Sequence, residues 1–263
     1  MSTPSITIAS DTCKNKFNRI LIIGGRGSIG SALVQHYSQY KGSELFTLSR
    51  PNSTALKPSV HNKNKSLSSL TEFYVDYFDD QSMQQVVSNI TISGKLDLII
   101  LATGFLQNET IKPEKSINDL SLKNLEYIFA VNTFLPAMMI RYFLPHLNPN
   151  IPAVFAALSA RVGSISDNRL GGWYSYRASK SALNMLIKTA SIELKRVNNN
   201  GIIVGLHPGT VKSQLSEPFL KNQPQHKIFS PDHSAQCLSE VINQLTQNES
   251  GKCIDWNGSE IFP

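Results

Sequence analysis

The chain has 263 residues, 41% hydrophobic and 17% charged, which excludes a disordered polyelectrolyte and fits one α/β domain with one continuous core. No apolar run comes near the roughly 18 residues that a spanning helix needs, so no membrane partner is expected. The formal charge of +6 comes from scattered Lys and Arg, and the densest basic stretch (His61, Lys63, Lys65) has no interleaved aromatics, which argues against nucleic acid.

Residues 1–16 are Ser/Thr-rich and aperiodic, and read as a loosely held tail. They contain no basic segment followed by a long apolar core, so a secretory signal is not expected and a cytoplasmic location is. The domain proper, 17–263, opens with a strand at Arg19–Ile23, a glycine loop, and helical spacing from Ser28 to Tyr40 through Ile29, Leu33 and Tyr37. A second strand is predicted at Glu44–Leu48, then a polar loop or weak helix to about Ser69, a third strand at Phe73–Val75 and a helix at Asp80–Ile90. Leu96–Leu101 (LDLIIL) has the continuous apolar character of a strand covered on both faces. A long helix follows at Leu122–Leu144, a strand at Ala153–Leu158, a long helix at Tyr176–Arg196, a strand at Ile202–Leu206, a helix at Asp232–Leu245 and an edge strand at Cys253–Trp256. Such alternation predicts a single-domain, doubly wound parallel sheet with helices on both faces, the Rossmann architecture, in which cofactor and substrate sites share one domain. Cys13, Cys237 and Cys253 lie far apart with no CxxC or Cys/His ligand spacing, so neither disulfides nor a metal site is expected.

Gly24-Gly25-Arg26-Gly27-Ser28-Ile29-Gly30 stands between the first strand and the first helix, and Gly25, Gly27 and Gly30 spell GxGxxG. In that setting backbone N–H groups and the helix dipole bind a dinucleotide pyrophosphate. The second strand ends in Ser49-Arg50. An arginine there accommodates the 2′-phosphate of NADP, where an acidic residue would favour NAD, and Arg26 adds a second cation. Asp76, after the third strand, is a candidate for the adenine amino group. Tyr176-Arg177-Ala178-Ser179-Lys180 places a phenol and an ammonium four residues apart on one helix face. An ammonium beside a phenol favours phenolate and brings it toward the range of acid–base work.

The glycine loop, Asn132 in the long helix, YRASK, and Pro208-Gly209 after the sixth strand resemble the short-chain dehydrogenase/reductase family in order and spacing, over roughly residues 17–263. LSARVGSISDNRLGGWYSYRASKSALNML and HPGTVKSQLSEPF most resemble its C-factor-like or Sniffer-like carbonyl reductase branch. The resemblance implies an NADP(H)-dependent oxidoreductase acting on CH–OH or carbonyl groups. In it Tyr176 is the general acid/base, Lys180 holds the nicotinamide ribose and lowers the phenol pKa, a serine orients the carbonyl, and Asn132 carries a relay water. It also implies cofactor contacts from Ala102, Thr103 and Gly104 after the fourth strand, and from Pro208, Gly209, Val211 and Ser213. Two departures stand out. Counted back from Gly163, the family serine position is Ala160, which leaves Ser159, one residue early, or Ser164 for the role. Leu101-Ala102-Thr103-Gly104 replaces the usual Asn-Asn-Ala-Gly.

Trp173, Leu215 and Phe219 suit a hydrophobic carbonyl or alcohol substrate, although Arg161 and Arg169 offer cations for an acid. His207, before a Pro-Gly turn, reads as a structural hydrogen-bonder. The helices over 127–144 and 182–194 are apolar around more than one stripe, and the family pairs them across a two-fold axis, so a homodimer or homotetramer is expected. The alternative to an enzyme is a C-factor-like nucleotide-binding signalling protein with weak or no turnover, toward which Ala160 leans.

Overall fold

Strand β1 (Arg19–Ile23) sets the architecture, because its last four residues are all buried and both of its faces need cover. Leu21 and Ile23 enter one core with Met83, Met139, Phe143, Leu183 and Ile187. Ile20 and Ile22 enter a second with Leu33, Tyr37, Leu238 and Ile242. The pleat sends alternate side chains to opposite faces, and each buried aliphatic contributes about 1.5–3 kcal/mol, so helix layers on both sides are strongly favoured.

The computed structural model describes residues 16–51, 59–61, 69–213, 215–216 and 228–263. After β1 come α1 (Ser28–Ser38), β2 (Glu44–Ser49), β3 (Ser59–His61), β4 (Ser69–Tyr74), α2 (Asp80–Thr91) and β5 (Leu98–Leu101). Helix α3 (Leu122–Phe129) runs through a π-helical turn at Ala130–Phe134 into α4 (Leu135–Phe143). Then follow β6 (Ala153–Leu158), α5 (Tyr174–Val197), β7 (Gly201–His207), β8 (Thr210–Val211), β9 (Ile228–Phe229), α6 (Pro231–Gln244), β10 (Cys253–Asp255) and β11 (Glu260–Ile261).

Among the described residues the main sheet has nine strands in the order β11-β10-β7-β6-β5-β1-β2-β4-β3. The run from β10 to β4 is parallel throughout, and β3 and β11 are antiparallel at the two edges. From β1 the chain winds one way to β2 and β4, and from β5 the other way to β6, β7 and β10. The loops leaving the carboxyl ends of β1 and β5 therefore diverge and leave a crevice.

The doubly wound parallel architecture read from the sequence is present, with differences in detail. The third strand starts at Ser69, four residues earlier than expected, and pairs with β3 in what reads as a polar loop. Cys253–Asp255 is a parallel strand flanked by β11, so it does not form the edge. Leu96 contributes only an isolated bridge to Leu147, and β5 proper begins at Leu98. Contrary to the reading of apolar runs, the helix Leu122–His146 is long enough, and over an 18-residue stretch apolar enough, to cross a membrane by length and composition alone. Its Leu135, Met139, Tyr142 and Phe143 pack instead into the core beneath the sheet. Residues 1–15, Lys63, Lys65 and Phe219, which figured in the sequence reading, lie outside the described residues.

Candidate active site

The loop after β1 allows unusually close approach. Gly24 has φ of +85°, and its N–H donates to the Leu48 carbonyl at 2.8 Å. A Cβ on Gly30 would lie 2.2 Å from the Gly24 carbonyl oxygen, so the first turn of α1 seats on the loop only because that position is glycine. At Gly27 the nearest atom to such a Cβ, the Gly24 carbonyl oxygen, is 3.5 Å away, an ordinary van der Waals contact, so the protein itself does not require glycine there. Gly27, the N-cap of α1, provides no side-chain cap, and the first turn of the helix has no acidic residue. Its first N–H groups, at Ser28, Ile29 and Gly30, thus have no intrahelical acceptor at the positive end of the dipole. Gly25 backs onto Val34 and Thr47, while Arg26, Gly27 and Ser28 are exposed at the tip.

The other predicted cofactor residues border the same crevice. Ser49 is buried at the end of β2 with no partner for its Oγ, and Arg50 beside it is exposed. The Tyr77 hydroxyl donates to the Leu48 carbonyl at 3.0 Å; burial raises its pKa and the nearby Arg50 charge opposes that rise. Asp76 is exposed past β4, with Oδ1 accepting the Phe78 N–H at 3.0 Å. Past β5, the Ala102 N–H donates to Ile23 at 2.8 Å, and Thr103 Oγ1 is buried without a partner. The buried, unpartnered hydroxyls, the uncapped helix start and the glycine cradle all fit a dinucleotide.

Gly104 ties that crevice to the catalytic segment. A Cβ there would sit 3.7 Å from Lys180 Nζ and 3.9 Å from Asn132 Oδ1. Asn132 lies in the π-helical turn, fully buried. Its Oδ1 accepts the Phe105 N–H at 2.8 Å, and its Nδ2 donates to the Phe105 carbonyl at 2.7 Å and to Ser179 Oγ at 3.2 Å. Lys180 Nζ donates to the Leu158 carbonyl at 2.9 Å and lies 5.9 Å from the centre of the Tyr176 ring. Burial pushes the Tyr176 phenol up to about 12 and the Lys180 ammonium down to about 8. The expected downward pull of the ammonium on the phenol is not found in this arrangement: burial alone moves the Tyr176 pKa, upward, and the phenol is held protonated.

Both candidate serines have their hydroxyls engaged with other protein groups. Ser159 is buried, but its Oγ donates to Asn184 Oδ1 at 2.6 Å, two turns beyond Tyr176 on α5. Ser164 Oγ accepts the Asp167 N–H at 3.1 Å and lies 3.3 Å from Ser166 Oγ, inside its own loop. Ala160 instead packs in one apolar cluster with Leu106 and Tyr176, backed by Val162, Trp173 and Leu215. One step along an extended chain turns the side chain to the other face, which is why the hydroxyl at 159 and the methyl at 160 part company.

Beyond β7, Gly209 has φ of +77°, and a Cβ there would meet Phe229 at 2.7 Å. The Pro208 carbonyl accepts Ser234 Oγ at 2.9 Å, Val211 is buried, and Ser213 Oγ lies 3.2 Å from Ser216 Oγ. His207 Nδ1 is buried without a partner, and burial drives the ring down to about 4, outweighing the attraction of Asp255. It is neutral at physiological pH, and the hydrogen bond expected of it is not made at Nδ1. Arg161 pairs with Asp255 and Asp167, so it is not an open carboxylate receptor.

Sequence reasoning missed Glu114, buried with 2% exposure, whose carboxyl accepts the Ser175 N–H at 3.3 Å and the Ser175 hydroxyl. It also missed Arg177, which donates to the carbonyls of Gly171, Gly172 and Val162. Gly171-Gly172 before the helix was a visible signal of unusual backbone; nothing local marked Glu114.

A doubly wound sheet with a glycine loop at its switch point and a buried Tyr–Lys pair, its lysine beside Gly104 past β5, defines an oxidoreductase scaffold. The short chain dehydrogenase family model matches residues 18–224, and the chain belongs to that family. The C-signal protein of Myxococcus xanthus is 30% identical over 146 residues, 56% of this chain and 82% of that protein. The 1-hydroxy-2-glutathionyl-2-methyl-3-butene dehydrogenase of Rhodococcus sp. (strain AD45) is 30% identical over 181 residues, 68% of this chain and 74% of that one. Among solved structures, the carbonyl reductase Sniffer of D. melanogaster superposes with a TM-score of 0.77 at 23% identity, covering 94% of this chain and 99% of that one. The NADPH-bound carbonyl reductase from chicken fatty liver gives 0.76 at 22% identity, with the same coverage.

Proposed function

We propose that the chain is an NADP(H)-dependent reductase of apolar aldehydes, ketones or quinones, with Tyr176 as the general acid. One observation carries the reading: Gly104 brings the dinucleotide crevice to within van der Waals reach of Lys180 and Asn132, one helical turn from a buried, protonated phenol. The Gly24–Gly30 loop would hold the pyrophosphate. Arg26 and Arg50 would hold the adenosine 2′-phosphate, and Asp76 the adenine amino group. Ser49, Ala102 and Thr103 would line the crevice between them, and Pro208, Gly209, Val211 and Ser213 would face the carboxamide. When bound, the nicotinamide supplies the hydride to the carbonyl carbon. Tyr176 gives its proton to the carbonyl oxygen as that oxygen gains charge, so the product is an alcohol and the residue left behind is a phenolate. Lys180, charged below its lowered pKa, stabilises that phenolate and binds the ribose hydroxyls, and Asn132 holds the loop at Phe105 that closes this corner. Leu106, Ala160, Val162, Trp173 and Leu215 give the substrate side an apolar lining, and Arg161 is taken up by two carboxylates.

The exposed Leu122, Tyr127 and Phe134 on one side, and Met185 and Ile192 on α5, support pairing of two copies through these helices, as a homodimer or the core of a homotetramer. A second reading, a nucleotide-binding signalling protein with weak turnover, is favoured by one feature only, the Ala160 methyl against Tyr176 in place of a carbonyl-orienting hydroxyl.

NADPH consumption against a panel of aldehydes, ketones and quinones, with NADPH binding followed by fluorescence, tests both. Tyr176→Phe is expected to lose roughly 10²–10⁴-fold in turnover while binding NADPH as the wild type does. Equal activity in that variant removes the mechanism, and tight NADPH binding with no turnover of any carbonyl by the wild type selects the second reading.

A further inference from the structure

Three consecutive residues ahead of α5 adopt the left-handed conformation, Gly171 at φ +63°, Gly172 at +64° and Trp173 at +53°. For the glycines this is free, but a tryptophan there costs about 1–2 kcal/mol and persists only where its surroundings enforce it. Trp173, at the N-cap position, offers the helix no side-chain cap. Both needs are met from a segment some sixty residues earlier. The Glu114 carbonyl accepts the Trp173 N–H at 2.6 Å and lies 3.3 Å from where a Gly172 Cβ would stand. The Glu114 carboxyl accepts the N–H and the hydroxyl of Ser175, and so caps the helix in place of a local residue.

We infer that Glu114 is a positioning residue for Tyr176, acting through Ser175 and Trp173. Tyr176 directly follows the capped Ser175, and its carbonyl accepts Ser179 Oγ at 2.8 Å. Ser179 Oγ in turn accepts from Asn132, whose side chain grips Phe105 at the start of the segment that ends in Glu114. The backbone bearing the phenol is thus held inside a closed circuit of contacts, and the segment from Phe105 to Glu114 joins its two ends. The Trp173 ring, fixed by the same clamp, meets the Tyr176 ring edge-on at 6.1 Å and forms a wall of the apolar cluster. Loss of the Glu114 carboxyl leaves the main-chain contact to the Trp173 N–H in place but uncaps α5 at Ser175, which loosens the adjoining left-handed turn and shifts the phenol relative to Lys180 and the crevice.

The inference rests on the reductase reading, and its test separates the two. Glu114→Ala, Glu114→Gln and Ser175→Ala are compared in the full chain for kcat and KM with an aromatic aldehyde and NADPH, for NADPH affinity, and for Trp173 emission isolated by subtracting the Trp173→Phe spectrum. Glu114→Ala is expected to lower kcat roughly 10–100-fold, the scale of an ångström misplacement, with NADPH affinity unchanged and Trp173 emission moved to longer wavelength. Ser175→Ala falls in the same direction by less. Glu114→Gln, whose amide accepts the Ser175 N–H and donates to its hydroxyl, retains most of the rate and the native emission. Wild-type kcat in Glu114→Ala overturns the inference, as does an equal loss in the Ala and Gln variants, or a loss matched by loss of NADPH binding. If the wild type turns over no carbonyl, the reductase reading falls, and the Trp173 emission alone then decides the positioning role.

Discussion

The Tyr176 ring packs in one cluster with the Ala160 methyl, while the Ser159 hydroxyl next door is spent on Asn184 Oδ1 at 2.6 Å. The hydroxyl nearest in sequence to the family position is thus bonded within the protein, and the family position itself is an apolar member of the Tyr176 cluster. Ser159→Ala should leave kcat within a few-fold of wild type while costing about 1 kcal/mol of stability, the net worth of one buried hydrogen bond. Ala160→Ser, which offers a hydroxyl beside Tyr176, should raise kcat by roughly 10-fold if the new hydrogen bond forms in the transition state. Steady-state kinetics and thermal melts on the two variants check both, and the opposite ranking would return Ser159 to the catalytic set.

Gly27 and Gly30 separate the loop's two roles. Gly30→Ala forces a methyl against the Gly24 carbonyl and should destabilise the fold as well as abolish NADPH binding. Gly27→Ala meets only ordinary contacts within the protein, so it should melt near wild type yet bind NADPH poorly, because the methyl occupies the approach to the helix start. Melting curves with and without NADPH distinguish them.

Arg50 stands exposed where β2 ends, between Ser49 and Pro51 in the sequence. Arg50→Ala should weaken NADPH binding by roughly 10–100-fold, the worth of a charge-assisted contact, and leave NADH binding unchanged. Titration of both nucleotides measures it; tighter binding of NADH than NADPH by the wild type would overturn the assignment.

Lys180 makes stability depend on pH in an unusual direction. Its folded pKa, about 8, lies below the ordinary 10.5, so between these values the unfolded chain binds more protons and stability rises with pH. At pH 7 the cost of the buried ammonium is fully present, on the order of 3 kcal/mol as an upper bound. Lys180→Met should therefore melt higher than wild type at pH 7 and lose the rise between pH 8 and 10. Tyr176, raised from 10.0 to about 12, acts oppositely above pH 10, and the Cys253 and Cys237 thiols, raised from 9.0 by burial, act oppositely from about pH 9; all three are common to wild type and Lys180→Met, so the difference between the two curves isolates the lysine.

What could be read from the residues was whatever is local. The continuous apolar runs of β1, β5, β6 and β7 and the 3.6-residue spacing of α1 signal a doubly wound sheet. GGRGSIG and YRASK announce themselves because their function needs short, fixed spacings. Orientation was hidden. Whether Ser159 or Ala160 meets Tyr176 depends on where the pleat of β6 ends, which no pattern within LSAR reveals. β3 is three residues long in a stretch rich in Ser, Asn and Lys, and exists by pairing with β4 rather than by its own propensity. The sign of the Tyr176 shift depends on how deeply the fold buries the ring, and Glu114 acts on residues some sixty positions away.

The π-helical turn at Ala130–Phe134 carries one more consequence. A wider turn shifts the angular phase of the helix, so α3 packs on α5 while α4 packs on α2 as well as on α5 and reaches β5. Removing a single residue there would keep the rod intact but rotate one apolar stripe by about 100° from its partner. Natural variation in chain length should therefore collect in the surface loops and spare this turn, whatever the identity of its side chains.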